Sequence, residues 1–342
     1  MSIDSSTLER AMRRALELAA TPGVPHGPNP RVGCVLLAPD GSEIAEGFHR
    51  GAGTPHAEAA ALAEAGAAAR GATAVVTLEP CNHTGRTGPC ARALVEAGVA
   101  RVVFAQPDPN PEAAGGAQTL RDAGIAVELG LLEHESRRLN RAWTFAMERG
   151  RPFVTWKFAA TLDGRSAAAD GSSRWITDEP ARRDVHRLRS ACDAILVGTG
   201  TVLRDDPALT VRDEVGAPAD RQPLRVVMGE RDLPQDAKVF DDAAETVHLR
   251  TRDVAAVLAE LHARGCQHLF LEGGPTVASA FVGAGLVDEV VGYLAPKLLG
   301  SGRNAVADLG IESITDALDL VVEDVTVLGS DVRITGRLRG KD

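Results

Sequence analysis

His56-Ala57-Glu58, Cys81 and Cys90 bring together one imidazole, one carboxylate and two thiols. Three protein ligands suit a catalytic zinc, because the fourth tetrahedral position stays open for water. Zinc lowers the pKa of water towards neutrality. A carboxylate two residues from the ligand histidine can then move protons without touching the metal. Zinc base deaminases use this set of His, two Cys and a non-ligand Glu. The chemistry expected is hydrolytic removal of an amine from a ring carbon, with His56, Cys81 and Cys90 on the metal and Glu58 as general acid and base. A structural zinc more often takes four Cys/His ligands. The Cys81-x8-Cys90 spacing also departs from the C-x2-C of nucleic-acid base deaminases.

These groups need a framework. Thr54-Pro55 reads as a helix cap followed by proline at the first helical position. The Ala-rich run to Arg70 favours helix, and Gly71 can end it. Ala72–Leu78 reads as a strand with Pro80-Cys81 at its carboxyl end, and Cys90 opens a helix running to Ala97. The full first half predicts helices at 6–20, 55–69, 90–97, 115–123 and 133–148. Its strands are expected at 32–37, 44–49, 73–78, 101–105 and 125–129. That alternation implies a mostly parallel sheet with helices on both faces. Gly150-Arg151-Pro152 reads as a junction between domains 1–149 and 150–342. The second half predicts helices at 178–191, 253–264 and 275–285. Its strands are expected at 153–159, 194–198, 224–228, 246–249, 268–272, 288–294, 321–327 and 332–338, the last ones antiparallel.

The 342 residues are enough for two cores. A net charge of −10 and 4% aromatic residues argue against a nucleic-acid partner, which needs a basic groove and stacking platforms. Two of the five cysteines are assigned to metal. Cys34, Cys192 and Cys266 are expected to be reduced and buried, as in a cytoplasmic protein. Met1–Thr21 has no apolar signal core, and no stretch is long enough to span a bilayer, so no membrane partner is expected. A nucleic-acid deaminase with an accessory domain and a non-enzymatic zinc-stabilised nucleotide binder are the rival readings. Salt-sensitive retention of nucleic acid would mark the first, and zinc without ammonia release the second.

Two strand-to-glycine junctions, Val197-Gly198-Thr199-Gly200-Thr201 and Leu271-Glu272-Gly273-Gly274-Pro275-Thr276, could admit phosphates to the backbone. Neither is the G-x-G-x-x-G fingerprint. With them the chain resembles the bifunctional riboflavin-biosynthesis deaminase–reductases over nearly its full length. In the first half the likeness rests on Pro28–Gly33, Gly47-Phe48-His49, His56-Ala57-Glu58, the run Thr77–Cys90 with its loop Thr84-Gly85-Arg86-Thr87, and Asp108–Pro111. In the second it rests on Lys157–Gly164, Trp175-Ile176-Thr177, Asp205-Asp206-Pro207, Glu272–Thr276 and Ala295–Gly300.

The resemblance implies an α/β chain: an N-terminal cytidine-deaminase-like three-layer α/β/α domain and a C-terminal dihydrofolate-reductase-like α/β domain. It implies zinc-dependent deamination of 2,5-diamino-6-ribosylamino-4(3H)-pyrimidinone 5′-phosphate, then NADPH-dependent reduction of the ribosyl to a ribityl chain. By that likeness Ala159, Trp175, Thr201, Asp205 and the segment Gly274, Pro275, Thr276, Val277, Ala278, Ser279, Ala280 contact the cofactor. Ser173, Arg189, Leu209, Arg212 and Glu272 contact the substrate, and Asn29, His49 and His83 line the deaminase pocket. A homo-oligomer stays open. The chain departs from the family at Gly229, where Asp is common, and in a shorter 250–267 region; Arg250 and Arg252 are then candidates to hold a 2′-phosphate.

Overall fold

The computed structural model describes residues 3–83, 88–213 and 215–339. Thr84–Thr87 of the cysteine loop lie outside the described residues. The chain divides into two compact units, Met1–Gly150 and Arg151–Asp342.

The first unit runs α1 (Ser5–Ala19), β1 (Gly33–Leu37), β2 (Glu43–Phe48), α2 (Ala57–Ala65), β3 (Thr73–Leu78), α3 (Cys90–Glu96), β4 (Arg101–Gln106), α4 (Gly116–Asp122), β5 (Ala126–Leu129), α5 (Glu133–Leu139) and α6 (Arg141–Arg149). Its sheet order is β2-β1-β3-β4-β5. Side chains alternate across a strand, so successive residues serve opposite layers. Cys34, Leu36, Val76, Val102 and Phe104 pack with Ala57, Ala61, Ala91 and Leu94 on one face. Val35, Leu37, Val75 and Val103 pack with Leu8, Met12 and Ala15 of α1 on the other. This is the three-layer arrangement.

Three expectations for this unit need correction. The sheet is mixed rather than mostly parallel: β1 pairs antiparallel with both β2 and β3, and only β3–β4 and β4–β5 are parallel. The Asp40-Gly41 turn, with Ala38 N–H bonded to Ser42 O, is too short for a crossover. The helix read at 55–69 begins at Ala57 and gives way to a 3-10 turn at Gly66–Ala69. His56, not Thr54, takes the cap position with extended backbone, and the Thr54 hydroxyl instead bonds Gly51 O. The helix read at 133–148 is two helices broken at Asn140. The Asn140 amide clamps one residue on both sides: its Oδ1 accepts from Arg31 N–H at 2.8 Å and its Nδ2 donates to Arg31 O at 2.9 Å.

The second unit runs β6 (Phe153–Thr161), β7 (Arg165–Ala167), α7 (Glu179–Ser190), β8 (Ala194–Gly198), α8 (Thr199–Asp205), β9 (Leu224–Met228), β10 (Thr246–Leu249), α9 (Val254–Ala263), β11 (His268–Leu271), α10 (Pro275–Gly283), β12 (Glu289–Ala295), β13 (Arg303–Asn304), β14 (Leu320–Leu328) and β15 (Asp331–Leu338). The sheet order is β10-β9-β8-β11-β6-β12-β15-β14. It is parallel through β12 and antiparallel beyond, as the strand-rich end suggested. Val154, Leu196, Val226 and Leu269 pack against α9 and α10 through Leu258, Leu261 and Phe281. Ile195, Val197 and Val227 face the opposite side with Val185, Leu188 and Val202. The short elements β7 and β13 pair with each other and were not expected; they are too brief to leave a periodic signal.

Among the described residues no helix is long and apolar enough to cross a membrane. All five cysteines are buried and free of disulfides.

Candidate active sites

Close approach of α2 to the sheet sets the first site. A side chain at Gly47 would begin 2.2 Å from Ala57 O and 2.6 Å from Ala61 N, so glycine lets the start of α2 lie directly on β2. His56, extended at the cap, turns its ring towards the end of β3 and the start of α3. Its Nδ1 stands 3.5 Å from Cys81 Sγ and 3.3 Å from Cys90 Sγ. The three ligand atoms all lie within 4.8 Å of one another. A tetrahedral ion with ordinary Zn–S and Zn–N bonds separates sulfur from nitrogen by about 3.5 Å, so the donor set fits zinc in both type and spacing. The Cys90 N–H points at Cys81 Sγ, 3.4 Å away. A hydrogen bond from the Cys90 thiol holds Cys81 well below the usual thiol range, at about 4. Cys90 itself rises, because it keeps the shared proton and is buried.

Glu58, in the first turn of α2, is 3% exposed. Burial pushes its carboxyl up to about 7. A carboxyl at that value can both take and give a proton near neutral pH. Beside it the His49 ring meets His56 edge-on, with centroids 5.3 Å apart. His49 Nδ1 lies 3.0 Å from Pro55 O, which can only accept, so this nitrogen carries the proton. Nε2 then accepts from Asn29 Nδ2 at 3.0 Å. Burial keeps His49 below the ordinary histidine range and neutral. His83 stands at the edge of the described loop, half-buried.

Asp108 was read only as part of a motif, yet burial pushes its carboxyl up to about 6, with Glu79 as a further cause. The Glu79 carboxylate holds the surrounding backbone, accepting from Asp108 N–H at 3.2 Å and Ala117 N–H at 2.9 Å.

The second site is a cleft at the carboxyl ends of the parallel strands, where open α/β sheets bind ligands. One cavity of about 430 Å³ is lined by Ala159, Ser173, Trp175, Arg189, Asp205 and Glu272 among others. A second of about 890 Å³ is lined by Gly198–Thr201, Gly229–Arg231 and Gly274–Val277 among others. Thr201, Arg204, Gly274, Pro275 and Arg303 line both, so they form one cleft. Along α10, Pro275, Thr276, Val277 and Ala280 face it. Ala278 does not: its side chain is 1% exposed and packs in the core with Phe281. Ser279 also lies outside the lining. Leu209 is likewise 3% exposed within the apolar cluster around Ile195 and Val197.

Arg189 lies in the cleft but is already engaged. Its Nε and Nη2 grip both Glu272 oxygens, the latter at 2.9 Å, and Nη1 donates to Thr210 O. Burial opposes the Glu272 charge, but Arg189 outweighs it and holds the carboxyl below its ordinary value. Arg212 is exposed and donates to Gly216 O at 2.9 Å, outside the lining. Lys157 was missed as a site residue. It lines the same cavity, and burial holds its ammonium below the usual lysine range. Its signal was the single charged residue in the strand Phe153–Thr161.

Comparison with known proteins agrees with both halves. The family model for the cytidine and deoxycytidylate deaminase zinc-binding region matches residues 5–106, and that for the RibD C-terminal domain matches 152–334. The riboflavin biosynthesis protein RibD of Mycobacterium tuberculosis is 47% identical over 96% of this chain and 97% of its own length. That of Escherichia coli is 41% identical over 95% and 97%. The solved structure of Acinetobacter baumannii RibD superposes with a TM-score of 0.92 at 40% identity, covering 98% of this chain and 99% of that one. The Thermotoga maritima diaminohydroxyphosphoribosylaminopyrimidine deaminase/5-amino-6-(5-phosphoribosylamino)uracil reductase gives 0.88 at 35% identity over 97% and 99%. With a three-donor zinc site on one unit and a strand-end cleft on the other, the chain belongs to the RibD family of bifunctional deaminase–reductases of riboflavin biosynthesis.

Proposed function

We propose that residues 1–149 deaminate 2,5-diamino-6-ribosylamino-4(3H)-pyrimidinone 5′-phosphate and that residues 150–342 reduce the product's ribosyl group to a ribityl chain with NADPH. The observation that carries this reading is the buried Glu58 beside the His56–Cys81–Cys90 tripod. His56 Nδ1, Cys81 Sγ and Cys90 Sγ hold zinc, which when bound supplies a Lewis acid that acidifies water. Glu58 takes the proton from the attacking water and returns it to the departing amine. Asn29 presents its Oδ1 to a ring donor, its orientation fixed by His49. His83 and Asp108 close the pocket.

In the reductase half NADPH, when bound, supplies the hydride. Ala159, Trp175, Thr201, Asp205 and the α10 segment seat it; Ala278 and Ser279 serve through backbone rather than side chain. Glu272 orders the substrate under the hold of Arg189, with Ser173 alongside. Lys157 is placed to give the proton that accompanies reduction. Arg212, which forms no ion pair among the described residues and stands outside the lining beside the cleft residue His186, is assigned the substrate phosphate. The molecule is read as cytoplasmic, with a small pyrimidine ribosyl phosphate as its partner. One assay tests the whole: the full chain is given the diaminopyrimidine substrate, and ammonia and NADPH oxidation are followed together. Ammonia release followed by stoichiometric NADPH oxidation is expected. Absence of ammonia with zinc bound would refute the deaminase assignment.

A further inference from the structure

NADPH and NADH differ only by the phosphate on the adenosine 2′-oxygen, so selection between them needs a cation at the adenosine end of the cleft. Three arginines stand at the carboxyl ends of β9 and β10: Arg231, Arg250 and Arg252. Arg250 donates to Asp232 at 2.6 Å, and Arg252 faces Glu230 at 3.2 Å. Both guanidiniums, read from the sequence as candidates for the phosphate, are paired with neighbouring carboxylates on the surface.

Arg231 differs. Among the described residues it forms no ion pair; its Nε donates to Thr199 Oγ1 at 3.2 Å. Its Nη2 lies 2.7 Å from where a side chain on Gly200 would begin, so the guanidinium folds over the Thr199-Gly200 backbone. Arg231, Thr199, Gly200 and Gly229 all line the 890 Å³ cavity. Two glycines leave it that position. Gly200 offers no side chain to displace it. At Gly229, with φ +130°, a side chain would begin 2.8 Å from Thr199 Oγ1, the hydroxyl that Arg231 uses. The family departure at Gly229 thus clears space for the neighbouring arginine. A planar guanidinium can give a phosphate two parallel hydrogen bonds.

We infer that Arg231 reads the 2′-phosphate and is the residue that selects NADPH over NADH. Glu230 lines the same cavity. An acidic residue at such a place suits a ribose 2′-hydroxyl, and its pairing with Arg252 removes that competing preference. The inference rests on the NADPH reading above.

The test is titration calorimetry of the full chain with 2′,5′-ADP and with 5′-ADP, which isolates the phosphate from catalysis. Wild type is expected to bind 2′,5′-ADP more tightly. Arg231→Ala should weaken 2′,5′-ADP by roughly ten- to a hundredfold, the range of a hydrogen-bonded charged pair, while 5′-ADP moves less than about twofold. Arg231→Lys should restore part of the loss. An unchanged preference in Arg231→Ala, or equal weakening of both nucleotides, would overturn the assignment. If wild type itself shows no preference for 2′,5′-ADP, the NADPH reading fails, and the inference with it.

Discussion

At the scale of single residues, the deaminase site divides metal holding from proton transfer. Glu58→Gln should keep about one zinc per chain and lose ammonia release, because a carboxamide cannot move the proton. Cys81→Ser or Cys90→Ser should lose the metal itself. Metal analysis with the ammonia assay separates the two; a Glu58→Gln protein that still releases ammonia would remove the shuttle role. In the reductase half the Arg189–Glu272 pair makes a pH prediction. The Glu272 carboxyl is depressed below its ordinary value of 4.5, so its stabilisation is present above that value. It is lost as pH falls through the lower folded value. Glu272→Gln strands a buried guanidinium, costing about 3 kcal/mol at neutral pH. The stability gap from wild type should close as the solution is acidified, measured by denaturant titration across that range. A gap independent of pH would mean the charge is not what Glu272 contributes. Arg212→Ala should raise KM for the phosphorylated intermediate, losing about 1.5–3 kcal/mol, and leave a dephosphorylated analogue unaffected. Equal damage to both substrates would show that Arg212 supports structure.

At the scale of elements, the loop carrying Asn29 is held from a distant part of the chain. Asn140 interrupts what the periodicity predicts as one helix, and its amide satisfies the Arg31 N–H and C=O. Asn140→Ala would leave both buried groups unpaired, costing about 2–4 kcal/mol. Thermal unfolding should fall accordingly, and the deaminase KM should rise because the Asn29 segment loosens. Unaltered melting would show that water replaces the clamp. The same logic explains the start of α2. The sequence offers Thr54-Pro55 as a cap, but packing on Gly47 moves the helix start to Ala57 and leaves His56 extended. That is the conformation in which its ring reaches both sulfurs.

At the scale of the molecule, the two units carry separate cores. The second has an eight-stranded sheet with apolar clusters on both faces. A fragment beginning at Arg151 should therefore fold and oxidise NADPH when given deaminated intermediate. Circular dichroism and the NADPH assay check this; an unfolded fragment from an active parent chain would show that the second core depends on the first unit.

Residue chemistry was legible in the sequence wherever it depends on type and spacing. His56, Cys81 and Cys90 stand as a donor set, with Glu58 as its proton carrier, in any fold that gathers them, and composition separates the Val- and Leu-rich strands from the Ala-rich helices. Only tertiary structure decided what depends on partners far along the chain. The direction of β1 beside β3, the break at Asn140, the capture of Arg189 by Glu272 and the inward turn of Ala278 are all long-range choices. So is the difference between Arg231 and its neighbours Arg250 and Arg252. Three arginines near two strand ends look alike as letters; which of them meets a carboxylate is fixed by where the folded backbone places the acids.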